Sequence, residues 1–276
     1  MAVPAATLEG SILDAAREGD RDTVVAWLDS PGADVNAVGH DGVSLLMVVA
    51  CRYGPDGLPT RDAEASLELA RELLRRGADV NLELVRPSSI KLRAFEISLS
   101  CLDTAFVSDD AAPEFVRDFA CLLIDAGLQV SELQVFTLLQ MFVNGQSSRC
   151  LAEIFFKLLR AGAPMDTVSL FPTYFQTTQA STPALAQDEH WSACRALAEG
   201  VEAAGGSWAG YRRMPRKEVL RLRSLVLRSR APPHSTSHST RGADPVVARV
   251  LRLPNELVWK VLDYWRCRSD ITGEVI

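Results

Sequence analysis

The sequence predicts an all-α fold, a solenoid of four or five divergent repeats followed by a C-terminal helical extension. Two observations predict it. Apolar residues recur at three- and four-residue spacing through residues 8–206, which is the pattern of amphipathic helices. Glycines at positions 32, 77, 127, 162 and 205 each close such a stretch, and glycine ends a helix in the left-handed conformation without steric penalty.

The composition is that of a globular protein with a sizeable core, because 47% of the 276 residues are apolar and 23% are charged. No apolar run approaches the roughly 18 residues that span a bilayer, and the N-terminus lacks the basic and apolar regions of a secretory signal. The cysteines lie far apart without a C-x-x-C pair, which favours a reducing compartment over a disulfide framework or a zinc site. We expect a soluble cytoplasmic protein, with the nucleus as the other compartment.

The repeat is clearest in the turn Gly-Ala-Asp-Val-Asn, which occurs at 32–36 and again at 77–81. Weaker copies lie within 122–130, 158–166 and 201–207. Each turn follows an apolar helical stretch, and a shorter one lies ahead of that stretch, so the unit is helix, turn, helix, loop. The predicted shorter helices are Ile12–Arg17, Val43–Arg52, Leu99–Val107 and Leu133–Val143.

These residues resemble ankyrin repeats. The two Gly-Ala-Asp-Val-Asn turns match the motif that closes a repeat. Asp41–Leu46 is similar to the motif that opens one, with Ser44 in place of Thr, and Ser100–Ala105 matches it at Leu102 and Ala105. Ser11–Asp20 looks like an N-terminal capping repeat. The resemblance covers about residues 8–206 and implies stacked helix pairs whose extended concave surface binds proteins.

The spacing of the first glycines, 45 and then 50 residues, exceeds the family period of about 33 and predicts insertions within Gly54–Glu64 and Leu84–Ser98. Insertions on one face of a solenoid often contact partners, but lengthening a surface loop is also tolerated at little cost, and we favour tolerated growth here. The resemblance places partner contacts at turns and in the first insertion, at Asn36, Val38, His40, Asp41, Asp56, Arg61, Asn81 and Glu83.

Charge divides the chain into units. Residues 1–207, the repeat domain, hold 29 acidic and 15 basic side chains, a net charge of −14, whereas residues 208–276 hold 6 and 14, a net charge of +8. The sequence of residues 208–230 predicts a basic amphipathic helix that caps the last repeat. Nucleic acid or an anionic membrane is the alternative partner of Tyr211–Arg230 and is not the expected one. Residues 231–244 predict a flexible linker, in which His234 and His238 are exposed rather than metal-binding.

The last unit, residues 245–276, contains the pattern L-P-x-E-L-x-x-x-V-L-x-x-W. The pattern resembles the opening helix of an F-box, the segment that docks on the Skp-type adaptor of cullin ubiquitin ligases. An F-box continues well beyond this motif, whereas eleven residues follow here. The alternatives are a terminal helix folded back onto Leu220–Leu227 through Trp259 and Trp265, and a helix that fits another partner's groove. The resemblance implies adaptor docking through Leu253, Pro254, Leu257, Val261, Leu262 and Trp265.

No catalytic pattern is found: the sequence has no G-x-S-x-G, H-E-x-x-H, Walker or G-x-G-x-x-G motif. His40 and His190 stand apart from each other, and the cysteines up to Cys194 sit among apolar residues, where a thiol is usually a small buried hydrophobe. We expect no enzyme activity, cofactor, metal or small-molecule substrate. The predicted function is a non-catalytic scaffold for a protein partner of unknown identity, with a ubiquitin-ligase substrate receptor as the alternative.

Overall fold

The computed structural model describes residues 8–51, 62–85, 91–102, 112–145, 148–163 and 180–214, together with Thr178, Lys217 and Arg221. This part of the chain is mostly helical, as the all-α prediction requires, and its strands form a single two-residue pair. The elements are α1 (Gly10–Glu18), α2 (Arg21–Leu28), α3 (Leu45–Ala50), α4 (Ala63–Arg75), β1 (Leu84–Val85), β2 (Lys91–Leu92), α5 (Ala94–Ser100), α6 (Ala112–Asp125), α7 (Glu132–Val143), α8 (Ser148–Arg160), a 3-10 helix (Pro183–Gln187) and α9 (Glu189–Ala203).

The helices pack as successive pairs, α1 with α2, α3 with α4, α5 with α6 and α7 with α8. Contacts between pairs run through two layers. In the first layer α1, α3, α5 and α7 follow one another, and in the second layer α4, α6, α8 and α9 do so. The second layer begins at α2, which is tied to α4 by the ion pair between Asp29 and Arg76 at 2.7 Å. The apolar side chains between the layers form one continuous core from Leu8 to Val201.

The repeat glycines at 77, 127, 162 and 205 follow the ends of second-layer helices, as predicted. Gly32 does not end its helix, because α2 already ends at Leu28 and Gly32 lies in a separate turn closed by the bond from the Ala33 N–H to the Ser30 carbonyl. All five, at 32, 77, 127, 162 and 205, have φ between +87° and +96°, a region that side-chain-bearing residues rarely adopt. After four of them the next N–H bonds to the carbonyl five residues earlier, as in Ala78 to Leu73 at 3.0 Å and Leu128 to Leu123 at 3.1 Å. This bond defines the Schellman motif, so these turns share one geometry.

Several helices begin at a polar N-cap residue, whose side chain accepts a hydrogen bond from a backbone N–H of the first helical turn. The Asp20 carboxylate accepts the Thr23 N–H at 3.1 Å and begins α2, and hydrogen bonds from Thr23 lower the pKa of that carboxyl. Ser44 and Asp62 cap α3 and α4 in the same way. Because such a cap contributes about 1 kcal/mol, these residues set the entry points of the short helices.

The helix α5 corrects the prediction for the second insertion. It begins at Ala94 and not at Leu99, because the Glu96 carboxylate accepts the Arg93 backbone N–H at 2.9 Å and caps the helix start. The opening-motif match at Ser100–Ala105 is therefore wrong in register: Leu102 follows the helix, and Ala105 lies outside the described residues.

The basic segment begins by packing on the end of the fold. Residues 208–214 are helical, as are Lys217 and Arg221. The Trp208 ring lies 5.5 Å from Phe156 of α8, edge to face. A Cβ at Gly200 of α9 would come within 2.6 Å of the Tyr211 ring, so the ring rests directly on the α9 backbone. In the stretches that the structure covers, no helix is long and apolar enough to cross a membrane.

Candidate interaction surface

Three of the predicted contact residues, Val38, His40 and Asp41, lie on one tight hairpin between α2 and α3. Val38 and Ser44 form the antiparallel bridge at its base, and the Gly39 N–H donates to the Val43 carbonyl at 2.9 Å. The hairpin rests on α1, since a Cβ at Gly39 would lie 2.6 Å from a Leu13 methyl carbon. His40 and Asp41 are exposed and Val38 is partly buried, so the tip presents two polar side chains on a fixed backbone.

Asn36 and Asn81, also predicted contacts, connect each turn to the next. The Asn36 side chain donates to the Gly77 carbonyl at 3.1 Å and accepts the Asp79 N–H at 2.7 Å. One amide can do both because it carries a donor and an acceptor on the same planar group. Asn81 repeats the arrangement on the following turn, donating to the Gly127 carbonyl at 3.3 Å and accepting the Gln129 N–H at 2.7 Å. We call each arrangement an asparagine clamp.

The series of clamps changes at the third turn. Ser131 stands where the clamp asparagine would be, and the residue that would donate to it, Pro164, has no backbone N–H. Ser131 instead starts α7, where its backbone N–H donates to the Gln134 Oε1 at 2.6 Å and its hydroxyl also bonds to that atom. The third turn is therefore attached to its own helix rather than to the fourth turn.

Glu83, the last predicted contact within the described residues, is partly buried and held by an ion pair. It precedes β1, which pairs antiparallel with β2. Its carboxylate forms an ion pair with Arg93 at 2.8 Å, and the two side chains are only 27% and 18% exposed. Arg93 also donates to the Gln129 carbonyl at 3.0 Å. The pair fixes the base of the second hairpin against the third turn.

A buried polar pair, Glu96 of α5 and Gln134 of α7, joins the first-layer helices. The Gln134 Nε2 donates to the Glu96 Oε1 at 2.6 Å, and the two residues are 1% and 9% exposed respectively. The sequence analysis missed this pair. Each of the two residues is the third of its helix and caps the helix start, which is a pattern visible in the local sequence. The pairing itself is not visible locally, because the two residues are 38 positions apart.

The first layer exposes one large apolar side chain in the described part of the chain, Phe136 of α7, which is 47% exposed. The partly exposed residues beside it on the helix, Thr137, Gln140 and Val143, are uncharged. In contrast, α3 is buried on every side, with none of its side chains more than 4% exposed. The exposed large apolar side chain of the described first layer is therefore on α7.

Phe136 was also missed in the sequence, although its position is informative. Val135, Leu138, Leu139 and Phe142 occupy the i, i+3, i+4 and i+7 positions of α7 and are all buried, which is the stripe that packs against a core. Phe136 falls outside this stripe. The helix thus has more apolar residues than its buried face accommodates.

A groove of about 570 Å³ lies between α6 and α8 in the second layer. Its opposite charges are paired with each other: Lys157 bonds to Asp125 at 2.6 Å, and Arg117 lies 3.5 Å from Glu153. Arg160 also lines the groove, so these ion pairs account for four of its five charged lining residues.

The buried cysteines have the properties of core residues. Burial raises the pKa of the Cys150 thiol to about 12 and raises that of Cys194 as well. A protonated, buried thiol is a poor nucleophile. Among the residues that the structure describes, no three His, Cys, Asp or Glu side chains are grouped so as to hold a metal ion.

The remaining predicted contacts lie outside the described residues. They are Asp56 and Arg61 of the first insertion and the adaptor-docking set Leu253, Pro254, Leu257, Val261, Leu262 and Trp265. No protein family, curated protein or solved structure matches this chain. The function must therefore be inferred from the geometry and chemistry of the chain itself.

Proposed function

We propose that this protein is an ankyrin-repeat scaffold that binds a protein partner without catalysis. The observation that carries the proposal is the asparagine clamp, which occurs with the same donors and acceptors at both Gly-Ala-Asp-Val-Asn turns. The two clamps join the first turn to the second and the second to the third, which keeps these three turns aligned along one edge of the helix pairs. Repeat proteins of this architecture use such an extended surface to bind other proteins.

The proposed contact surface combines the first hairpin tip with the open part of the first layer. His40 and Asp41 supply exposed polar groups at the tip, and Phe136 supplies an exposed aromatic ring. Aromatic residues are enriched and charged residues depleted at the centres of protein interfaces. Phe136 is accordingly the proposed anchor, and the asparagine clamps and Glu83 hold the turns of the first repeats in place.

Phe136→Ser is expected to reduce partner recovery at least tenfold, which corresponds to about 1.4 kcal/mol or more of binding free energy. The measurement is affinity purification from the cells that produce the protein, quantified by mass spectrometry for the full chain and the variant. The matched control is Glu68→Ser, an exposed position on second-layer helix α4. Melting temperatures of both variants establish that they are folded. Undiminished recovery of all partners with Phe136→Ser would exclude this surface.

A second candidate function, a substrate receptor of a cullin-type ubiquitin ligase, is favoured by the sequence of Leu253–Trp265. The apolar positions 257, 261, 262 and 265 fall on one helical face, which is the form of a helix that lies in a partner's groove. In this proposal the repeats hold the target and the terminal helix holds a Skp-type adaptor.

Deletion of residues 245–276 tests this second candidate. The full chain is expected to co-purify an adaptor and a cullin, and the shortened chain is expected to lose both while retaining the other partners. Leu257→Asp and Val261→Asp should have the same effect without unfolding the repeats, as measured by circular dichroism. If the full-chain sample contained no ligase subunits, the ligase-receptor candidate would be rejected and the scaffold function would remain.

A further inference from the structure

The first three turns of the repeat domain are tied to one another, whereas the third is not tied to the fourth. The two asparagine clamps join the first turn to the second and the second to the third. The third turn, residues 127–131, forms no hydrogen bond with the fourth turn within the described residues. Its last residue, Ser131, bonds instead to Gln134 of its own helix. The series of tied turns is therefore broken at this point.

The helix before this break, α5, is held by the repeats that precede it. It ends at Ser100, and the thiol of the next residue, Cys101, donates to the Ala50 carbonyl of α3 at 3.5 Å. The third turn is held from the same side, because Arg93 at the start of α5 donates to the Gln129 carbonyl at 3.0 Å. Both α5 and the third turn therefore belong with the first repeats.

The helix after the break, α7, is held at its two ends by different neighbours. At its start, Gln134 donates to Glu96 of α5 at 2.6 Å. Near its end, the Phe142 ring lies 5.4 Å from the Trp191 ring of α9, edge to face, and both side chains are at most 1% exposed. The start of α7 is thus joined to the preceding repeats, and its end is joined to the following ones.

The second layer, in contrast, is continuous across the break. Polar contacts connect α6 and α8 at intervals along their length: Cys150 with the Pro113 carbonyl at 3.1 Å, Arg117 with Glu153 at 3.5 Å and Lys157 with Asp125 at 2.6 Å. Any motion of the repeats on the two sides of the break relative to each other must therefore turn about this layer.

We propose that the repeat domain has a hinge between its third and fourth turns. One part is α1 to α5 with the first three turns, and the other is α7, α8 and α9. In a repeat array each repeat contacts only its neighbours, so one weaker joint divides the array into two parts. The α6–α8 contact and the pair at the start of α7 form the axis, about which the far ends of α5 and α7 separate and approach. Ser131, at the junction of a turn and a helix, has the position typical of a hinge residue.

The hinge lies between the two places that the proposed partner contacts. Phe136 is on α7, after the hinge, whereas His40 and Asp41 are on the first hairpin, before it. A partner that contacts both places is expected to hold the two parts in one arrangement, because a ligand favours the conformation to which it binds best. This coupling rests on the proposed scaffold function, and the hinge itself does not.

The test is the distribution of distances between two spin labels on the full chain, measured by pulsed electron paramagnetic resonance. The labels are attached to a ketone-bearing amino acid introduced at exposed positions at or next to the ends of α1, α5 and α7, which are Glu18, Ser100 and Asn144. The pair at 18 and 100 spans only clamped turns, whereas the pair at 18 and 144 also spans the hinge. The second distribution is expected to be broader than the first.

Ser131→Asn combined with Pro164→Ala is expected to close the hinge. The asparagine can donate to the Gly162 carbonyl, and the alanine supplies the backbone N–H that a proline lacks, so the double variant re-creates the clamp. Asparagine is also a favourable N-cap, so α7 keeps its start. The distribution between 18 and 144 should narrow toward that between 18 and 100, which should stay unchanged. The matched control is Pro164→Ala alone, in which the serine keeps its bond to Gln134.

Two outcomes would overturn the proposal. One is a wild-type distribution between 18 and 144 that is no broader than that between 18 and 100, and the other is equal narrowing in Pro164→Ala and in the double variant. Ser131→Asn alone, which can form only the bond to Gly162, should narrow the distribution part of the way, and circular dichroism shows that each variant is folded. These measurements use no partner, so failure of the hinge and failure of the scaffold proposal are distinguishable.

Discussion

Replacing both Asn36 and Asn81 by alanine is expected to lower the free energy of unfolding by about 3 kcal/mol. Each substitution removes two hydrogen bonds from a clamp and leaves a backbone carbonyl and a backbone N–H of the next turn without that partner. Leaving such groups unsatisfied costs about 1–3 kcal/mol when they are buried, and we take the lower half of that range for each clamp because these turns are partly exposed.

The two clamps share the turn at 77–81, because Asn36 holds its Gly77 and Asp79 while Asn81 is its last residue. A double-mutant cycle is therefore expected to show coupling between the two sites. Asn36→Asp should fall between wild type and Asn36→Ala, since the carboxylate can still accept the Asp79 N–H but cannot donate to the Gly77 carbonyl.

Urea denaturation measures these losses. The matched control is Asn144→Ala, an exposed asparagine at the end of α7 whose side chain forms no hydrogen bond within the described residues. A double alanine variant that unfolds within about 0.5 kcal/mol of this control, the range of ordinary surface substitutions, would contradict a structural role for the clamps. Asn36 and Asn81 would then be available as partner contacts.

The clamps also illustrate what the sequence could and could not predict. The ends of α4, α6, α8 and α9 were predictable because the left-handed conformation of their glycines and the apolar periodicity depend on near neighbours in the chain. The role of Asn36 was not predictable, because its hydrogen-bond partners lie 41 and 43 positions away in the chain. The same residue that looked like a surface contact in one repeat is a connection between two repeats once they are stacked.

The misplaced start of α5 has a related cause. The apolar residues Leu99 and Leu102 suggested a helix there, while the cap that begins the helix depends on Glu96. Glu96 reads as an ordinary surface acid in the sequence. It is buried because Gln134, contributed by the next first-layer helix, bonds to its other oxygen.

Gln134→Glu is expected to destabilise the protein by about 3 kcal/mol at pH 7. It would place two carboxyl groups at the 2.6 Å distance now occupied by an amide and a carboxylate, and two such groups cannot both ionise at that distance. One of the two carboxyl groups must then hold a proton. Protonating a group of ordinary pKa about 4.3 at pH 7 costs at most about 3.7 kcal/mol, at 1.36 kcal/mol per pH unit.

The pH dependence of this loss has a defined sign. The native variant has one carboxyl whose pKa is raised above its value in the unfolded chain, so its unfolded state binds fewer protons than its native state around neutral pH. Stability relative to wild type is then lost as pH rises above about 4.3 and is regained as pH falls toward that value. Urea denaturation of variant and wild type at pH 4.5 and pH 7 measures this difference.

The exchange of both residues, Gln134→Glu with Glu96→Gln, is the matched control and the sharper test. The exchanged pair keeps every hydrogen bond of the original: the amide at 96 donates to the carboxylate at 134, its oxygen accepts the Arg93 N–H, and the carboxylate accepts the Ser131 N–H. The exchange is therefore expected to restore most of the lost stability at pH 7. If the exchanged protein were as unstable as Gln134→Glu alone, the hydrogen bond between the two side chains would not be what joins α5 to α7. The aliphatic packing of the two helices would then account for their contact.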